Sequence, residues 1–268
     1  MKFAISVITP EVQGEAPLAL LEGSFEERLQ KAAAIGYRGI ELVVSDPLRL
    51  DPGTLLDQLA RYGLEPAAVA TGFVFGSRGL RLVDPDPAVC RGAAELLQNL
   101  VRLAAGLGAK VVTIGGFRGK AEPVGGLENA KRILHEGLRG ADCLAQELGV
   151  TIALEPLRRG ESDLLNNAQE VCDLIREGGY GAVGLLLDVY HMAEEPDALE
   201  AFRKYRDCLV HVHLADTDRR ALGLGSVDFA GMEAVLGEIG YCGWQSVELP
   251  RADDPDGNGR LPAYLAAL

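Results

Sequence analysis

Residues 127–156 read LENAKRILHEGLRGADCLAQELGVTIALEP. A long amphipathic stretch stops at Gly149, and an apolar run, VTIALEP (150–156), begins on the next residue. Glycine ends helices because it enters the left-handed conformation freely, and a strand that follows at once marks the junction of an α/β repeat. The same helix–glycine–strand junction recurs in IGYRGIEL (35–42), LGAKVVTI (107–114) and IGYCGWQSVEL (239–249). Outward from these junctions, short apolar runs alternate with longer amphipathic segments along the whole chain. Strands are expected at 3–8, 39–44, 66–70, 110–115, 150–156, 183–188, 209–215 and 245–250. Helices are expected over 24–36, 51–63, 86–108, 127–149, 167–179, 197–207 and 228–240, several of them opening at Ser, Asp or Asn. With the short C-terminal LPAYLAAL (261–268) as the last helix, eight β–α units predict a closed (β/α)8 barrel, one domain over residues 1–268. A doubly wound sheet would start with a glycine-rich first turn, and SVITPEVQGE (6–15) is not one.

The 268 residues are 48 % hydrophobic, enough for one large core. A formal net charge of −13 argues against a nucleic-acid partner, whose phosphates need a basic footprint, and against an anionic membrane surface. The five cysteines are scattered and form no C-x-x-C pair, which fits a reduced compartment better than a disulfide framework or zinc ribbon. The apolar run in MKFAISVITPEVQG (1–14) is too short for an export signal and lacks a small-residue cleavage site, so it reads as the first strand. No apolar run approaches a membrane span. A soluble, cytoplasmic protein is expected.

Catalytic groups of such barrels come from the C-terminal ends of strands and the loops after them. Four consecutive expected strands end in a potential metal ligand: Glu155, Asp188, His213 and Glu248. Each sits in an apolar run (IALEP, LLLD, VHVHL, SVELP), where an unpaired carboxylate costs several kcal/mol unless paired or bound to a cation. One buried glutamate has an ordinary explanation as a structural ion pair; four groups at matching depth do not. Three carboxylates and one imidazole form an oxygen-rich donor set that favours Mn²⁺, Co²⁺ or Mg²⁺ over structural zinc with its sulfur ligands.

EPLRRGES (155–162), LLLDVYHM (185–192), HVHLADTDR (211–219) and VELP (247–250) together resemble the sugar isomerase/epimerase family of xylose-isomerase-like TIM barrels. The likeness is closest to the ketose 3-epimerases (D-tagatose and D-psicose 3-epimerases, with a 5-keto-L-gluconate epimerase branch), and the loop TGFVFGSRGLRLVDPDP (71–87) shares it. The resemblance implies that Glu155, Asp188, His213 and Glu248 bind one divalent ion per chain, with Mn²⁺ first among the candidates. It also implies that Glu155 and Glu248 serve as the two acid/base groups. His191 and Arg219 would hold the substrate oxygens around C2, and Glu161 would position the terminal hydroxyl. The implied activity is inversion of C3 of a ketose or keto-sugar acid through an enediolate, which needs a proton group on each face. Aldose–ketose or hydroxypyruvate-type isomerases and keto-inositol dehydratases could use the same parts. An endonuclease IV-like repair enzyme would need more histidines than four and a basic face, and a non-catalytic carbohydrate-binding barrel would need no metal. The implied partners are a small sugar and further copies of the chain, as a dimer or tetramer.

The segment usually reading Glu-Pro-Leu-Asn-Arg-Tyr-Glu is Glu155-Pro156-Leu157-Arg158-Arg159-Gly160-Glu161 here. Arg158 is expected to be solvated, with a substrate carboxylate or phosphate as the alternative partner. Leu222-Gly223-Leu224-Gly225 should keep the turn that the family builds with a proline. His211 and His213 share a face of the strand, and His213 is the expected ligand because Arg219 follows it at the family's spacing, leaving His211 one layer deeper as a supporting hydrogen-bond partner. Glu41 is expected in a supporting or structural ion pair. His135 reads as an ordinary surface residue, the cysteines as helix-packing residues, and Arg118 as either solvated or substrate-bound. Of Phe73, Phe75 and Phe117, one or two are expected to wall the pocket.

Overall fold

The computed structural model describes residues 2–12, 18–195 and 197–250. Eight parallel strands close in chain order into a barrel. They are β1 (Lys2–Ile8), β2 (Gly39–Val43), β3 (Glu65–Ala70), β4 (Val111–Ile114), β5 (Thr151–Leu154), β6 (Val183–Asp188), β7 (Leu209–Leu214) and β8 (Trp244–Val247). All eight expected strands are present, most differing from their expected limits by a residue or more at an end. The helices around them are α1 (Phe25–Ile35), α2 (Pro52–Arg61), α3 (Val74–Arg78), α4 (Pro87–Leu107), α5 (Leu127–Leu148), α6 (Ala168–Gly178), α7 (Ala198–Lys204) and α8 (Phe229–Glu238). The short α3 was not expected from sequence; it lies within the 71–87 loop. The expected last helix, LPAYLAAL, lies outside the described residues.

Local chemistry sets these limits. Ser24 caps α1 and Glu27 reaches back to it in a reciprocal box; Asp51 and Asp86 cap α2 and α4, each followed by proline at the first helical position. Gly108 and Gly149 end the two longest helices at φ 75° and 66°, and the next strand begins within three residues of each. Strands covered by helices outside and filled inside must be apolar on both faces, and β6, VGLLLD, is buried at every position.

The interior filling is partly polar. Ser6, Glu41, Thr113, His211 and Ser246 are buried on β1, β2, β4, β7 and β8. Asp188 pairs in register with His213 across β6 and β7, so both side chains reach the same height on the C-terminal rim. None of the described helices is long and apolar enough to cross a membrane.

Candidate metal centre and active site

Glu155 and Glu248 are the first residues past β5 and β8, and each backbone N–H still continues its sheet, to the Ile114 and Leu214 carbonyls at 3.0 and 3.1 Å. With Asp188 and His213 they bring four potential ligand atoms within 4.8 Å of one another. Asp188 accepts the Tyr190 N–H on Oδ1 at 2.9 Å, and His213 pairs its Nε2 with Glu41 at 3.0 Å. Their remaining atoms, Asp188 Oδ2 and His213 Nδ1, are buried without a hydrogen-bond partner, as is Glu155 Oε1. Three buried polar atoms without hydrogen bonds, all within one cluster, are costly in a low-dielectric interior, and a cation among them would satisfy all three. The residues therefore fit a divalent ion, as expected from sequence.

A second ring surrounds this centre. Arg219 lies 3.3 Å from Glu248 and 3.5 Å from Asp188 through Nη1, and its Nη2 is 3.0 Å from His191 Nε2. His191 stands at the start of a short 3-10 turn, 3.7 Å from Asp188 and 3.8 Å from Glu155. Glu161 stays on the open side, 4.0 Å from His191 Nδ1 with 42 % of its side chain exposed. All seven expected site residues thus converge on one end of the barrel.

Arg219 depends on a residue that sequence reading passed over. Asp218 and Arg219 both hold left-handed backbones, φ 58° and 55°, an uncommon conformation for side chains of this kind. The fully buried Asp216 carboxylate overrides that preference by accepting the N–H groups of Thr217, Gly223, Gly225 and Val227 at 2.8–3.1 Å. A Cβ on Gly225 would lie 2.2 Å from Asp216 Oδ1, so the Leu-Gly-Leu-Gly segment supplies both the turn and the room. The available signal was an aspartate placed directly before a loop rich in glycine.

The two proposed acid/base groups are electrostatically unlike. Burial pushes the Glu248 carboxyl up to about 7, against the opposing pull of His213 and Arg219. Burial also opposes ionisation of Glu155, but its contact with His213 and the charges of His191 and Arg219 outweigh it and hold its pKa low. Gly115 makes space for Glu155: a Cβ there would sit 2.5 Å from Glu155 Oε2.

Several other expectations are corrected. Arg118 is neither solvated nor aimed at a ligand; it is completely buried and donates to the carbonyls of Gly115, Glu155, Leu164 and Leu165. Burial pulls its pKa down to about 10, which leaves it cationic at neutral pH. Phe117 belongs to the core and Phe75 is exposed, while Phe73 packs on a small cluster of Ile8, Ala19, Val43 and Ala70. His135 is half-buried and paired with the Tyr180 hydroxyl at 2.7 Å. Arg158 is half-buried as well, its guanidinium 4.8 Å from the Tyr190 ring. Cys143 and Cys242 are exposed rather than packed, whereas Cys172 is buried in the core. Glu41 and His211 do hold supporting positions, joined at 2.9 Å beneath the centre.

Comparison with known proteins agrees with this architecture. The chain is 33 % identical over 221 residues to a ketose 3-epimerase of Arthrobacter globiformis, covering 80 % of this chain and 74 % of that one. It is 30 % identical over 227 residues to an L-ribulose 3-epimerase of Mesorhizobium japonicum, covering 82 % and 73 %. A solved structure of an L-ribulose 3-epimerase superimposes with a TM-score of 0.75 at 26 % identity, over 98 % of this chain and 86 % of that one. The xylose isomerase-like TIM barrel family matches residues 29–267. With the closed eight-stranded barrel, that match settles the kinship: the chain belongs to the xylose isomerase-like TIM barrel family.

Proposed function

We propose that this chain is an epimerase that inverts C3 of a ketose or keto-sugar acid, depends on a divalent metal ion, and uses Glu155 and Glu248 as its proton-transfer pair. The observation that supports this most is the pairing of two carboxylates of opposite proton affinity around one set of orphaned ligand atoms. Two environments that push neighbouring carboxyl groups apart in pKa prepare one as base and the other as acid. The names of the ketose and L-ribulose 3-epimerases it resembles support the substrate class.

Glu155, Asp188, His213 and Glu248 would hold the ion, and the oxygen-rich set favours Mn²⁺, with Co²⁺ or Mg²⁺ as alternatives. Once bound, the ion supplies positive charge beside the substrate carbonyl and so acidifies the neighbouring C–H bond. Glu155, ionised, takes the C3 proton from one face. Arg219 and His191, joined at 3.0 Å, face the oxygens around C2 and stabilise the enediolate charge. Glu248, holding a proton near neutral pH, returns one to C3 from the other face; the two glutamates exchange roles in the reverse direction. Glu161 orients the terminal hydroxyl from the open side of the site.

The deciding experiment is turnover in deuterium oxide with free, acidic and phosphorylated ketoses, read by NMR of the recovered sugars. Deuterium should appear at C3, and chelation should stop its incorporation. Label at C1 alone would replace this reading with an aldose–ketose isomerase.

Metal affinity should also rise with pH through neutrality. A protonated carboxyl is a weaker ligand than a carboxylate, so protonation of Glu248 below its pKa of about 7 weakens the ion's hold without excluding it. Mn²⁺ titrations at about pH 6 and about pH 8 should give clearly weaker binding at the lower value. Equal dissociation constants would place the ion away from Glu248.

A further inference from the structure

Glu41 lies on β2, across the barrel from the strands that supply the centre, and is fully buried. Its Oε1 accepts from His213 Nε2 at 3.0 Å and from Thr113 Oγ1 at 3.2 Å. Its Oε2 pairs with His211 Nε2 at 2.9 Å, and that nitrogen also lies 3.1 Å from Ser246 Oγ. Both oxygens of one carboxylate are therefore occupied by imidazoles. A carboxylate can only accept, so Nε2 of each histidine carries a proton, and with a cation bound it is the Nδ1 lone pair that His213 would turn toward the cluster. That nitrogen is the buried, partnerless atom described above. His211, on the second oxygen, keeps the carboxylate from rotating away.

We propose that Glu41 is a positioning residue of the metal centre: clamped between His211 and His213, its carboxylate fixes the His213 tautomer that offers Nδ1 and lends the imidazole anionic character. The inference rests on the metal centre proposed above. It carries a consequence for ion preference. Three of the four proposed ligands are carboxylates, so a hard ion such as Mg²⁺ draws its binding mainly from oxygen, while Co²⁺ draws more from imidazole. Loss of Glu41 should cost Co²⁺ more than Mg²⁺. A residue that merely held the barrel together would affect both ions alike.

The test is Glu41→Gln in the full chain, with Co²⁺ and Mg²⁺ dissociation constants measured by calorimetry. Glutamine keeps the size, but its amide can accept from only one of the two imidazoles. Even with that oxygen turned to His213, the imidazole loses its anionic partner. Co²⁺ affinity should fall about 10–100-fold, the usual cost of losing an outer partner of a metal-bound histidine, with a smaller loss for Mg²⁺. Unchanged constants, or equal losses for both ions, overturn the inference. If the variant does not fold, nitrogen-15 spectra of histidine-labelled wild-type protein loaded with Zn²⁺ decide instead. His213 bound through Nδ1 and protonated on Nε2 supports the inference, and the reverse tautomer overturns it. Should the wild type bind none of these ions, the metal centre itself fails and this inference with it; binding that survives the substitution unchanged defeats this inference alone.

Discussion

Glu248→Gln is expected to fold normally and to lose turnover by about 10²–10⁴-fold, the range that a positioned acid/base side chain contributes. Glutamine keeps the side-chain length and leaves an oxygen near Arg219, 3.3 Å away in the native protein. It cannot take up or release a proton, which is the property that burial tunes in the native carboxyl. Because Glu248 is also a proposed ligand, metal content must be measured on the same sample and turnover compared at saturating ion. Under those conditions substrate binding should persist while C3 exchange disappears. Wild-type turnover at full metal loading would remove Glu248 from proton transfer.

Arg118→Met should lower stability by about 3–5 kcal/mol, the combined cost of taking charge-assisted donors from several buried carbonyls at about 1–3 kcal/mol each. Methionine fills much of the stem volume but donates nothing, so the carbonyls of Gly115, Glu155, Leu164 and Leu165 lose the guanidinium together. Leu165 is already constrained, with a left-handed backbone at φ 58°, and its carbonyl is one of the four. For a chain of this length each kcal/mol lowers the melting midpoint by roughly 2–4 °C, so scanning calorimetry should show a fall of roughly 6–20 °C. A shift of only a degree or two would mean that water or other donors take over these carbonyls. Glu155 should feel the loss too, because its own carbonyl is one of the acceptors.

These two residues mark what sequence reading reaches and what it does not. Glu248 was legible because a carboxylate inside SVELP is chemically improbable unless something binds it, and Glu155, Asp188 and His213 repeat that improbability on adjacent strands. The barrel was legible for a similar reason: each helix stop at glycine ran directly into an apolar strand, as at Gly149. Arg118 was not legible. Its partners are backbone carbonyls, which leave no mark in a sequence, and its GGFRGK context reads as either a solvated or a substrate-bound arginine. Asp216 escaped likewise, since its role is defined by four backbone N–H groups of the loop that follows it, and a sequence does not record how that loop folds back. Arg158 is only partly solvated because the Tyr190 ring beside it comes from another loop, a neighbour that sequence spacing does not show. Strand ends shifted by a residue or so because apolar runs do not record where ladder hydrogen bonds stop.

The proposed ligands come from β5, β6, β7 and β8, and Arg219 and His191 from the loops after β7 and β6. The proposed chemistry is thus concentrated in the C-terminal half-barrel, and β1 to β4 complete the wall opposite, with Glu41 of β2 reaching across to His213. Selection can therefore act on the two halves separately. The described residues of the loops above β1 and β3 carry none of the proposed ligands or proton groups and can be recast for a new sugar, whereas the segments that follow β5, β6 and β7 carry Glu155, His191 and Arg219. A lineage built this way should diversify its substrates along one side of the rim and keep its reaction on the other.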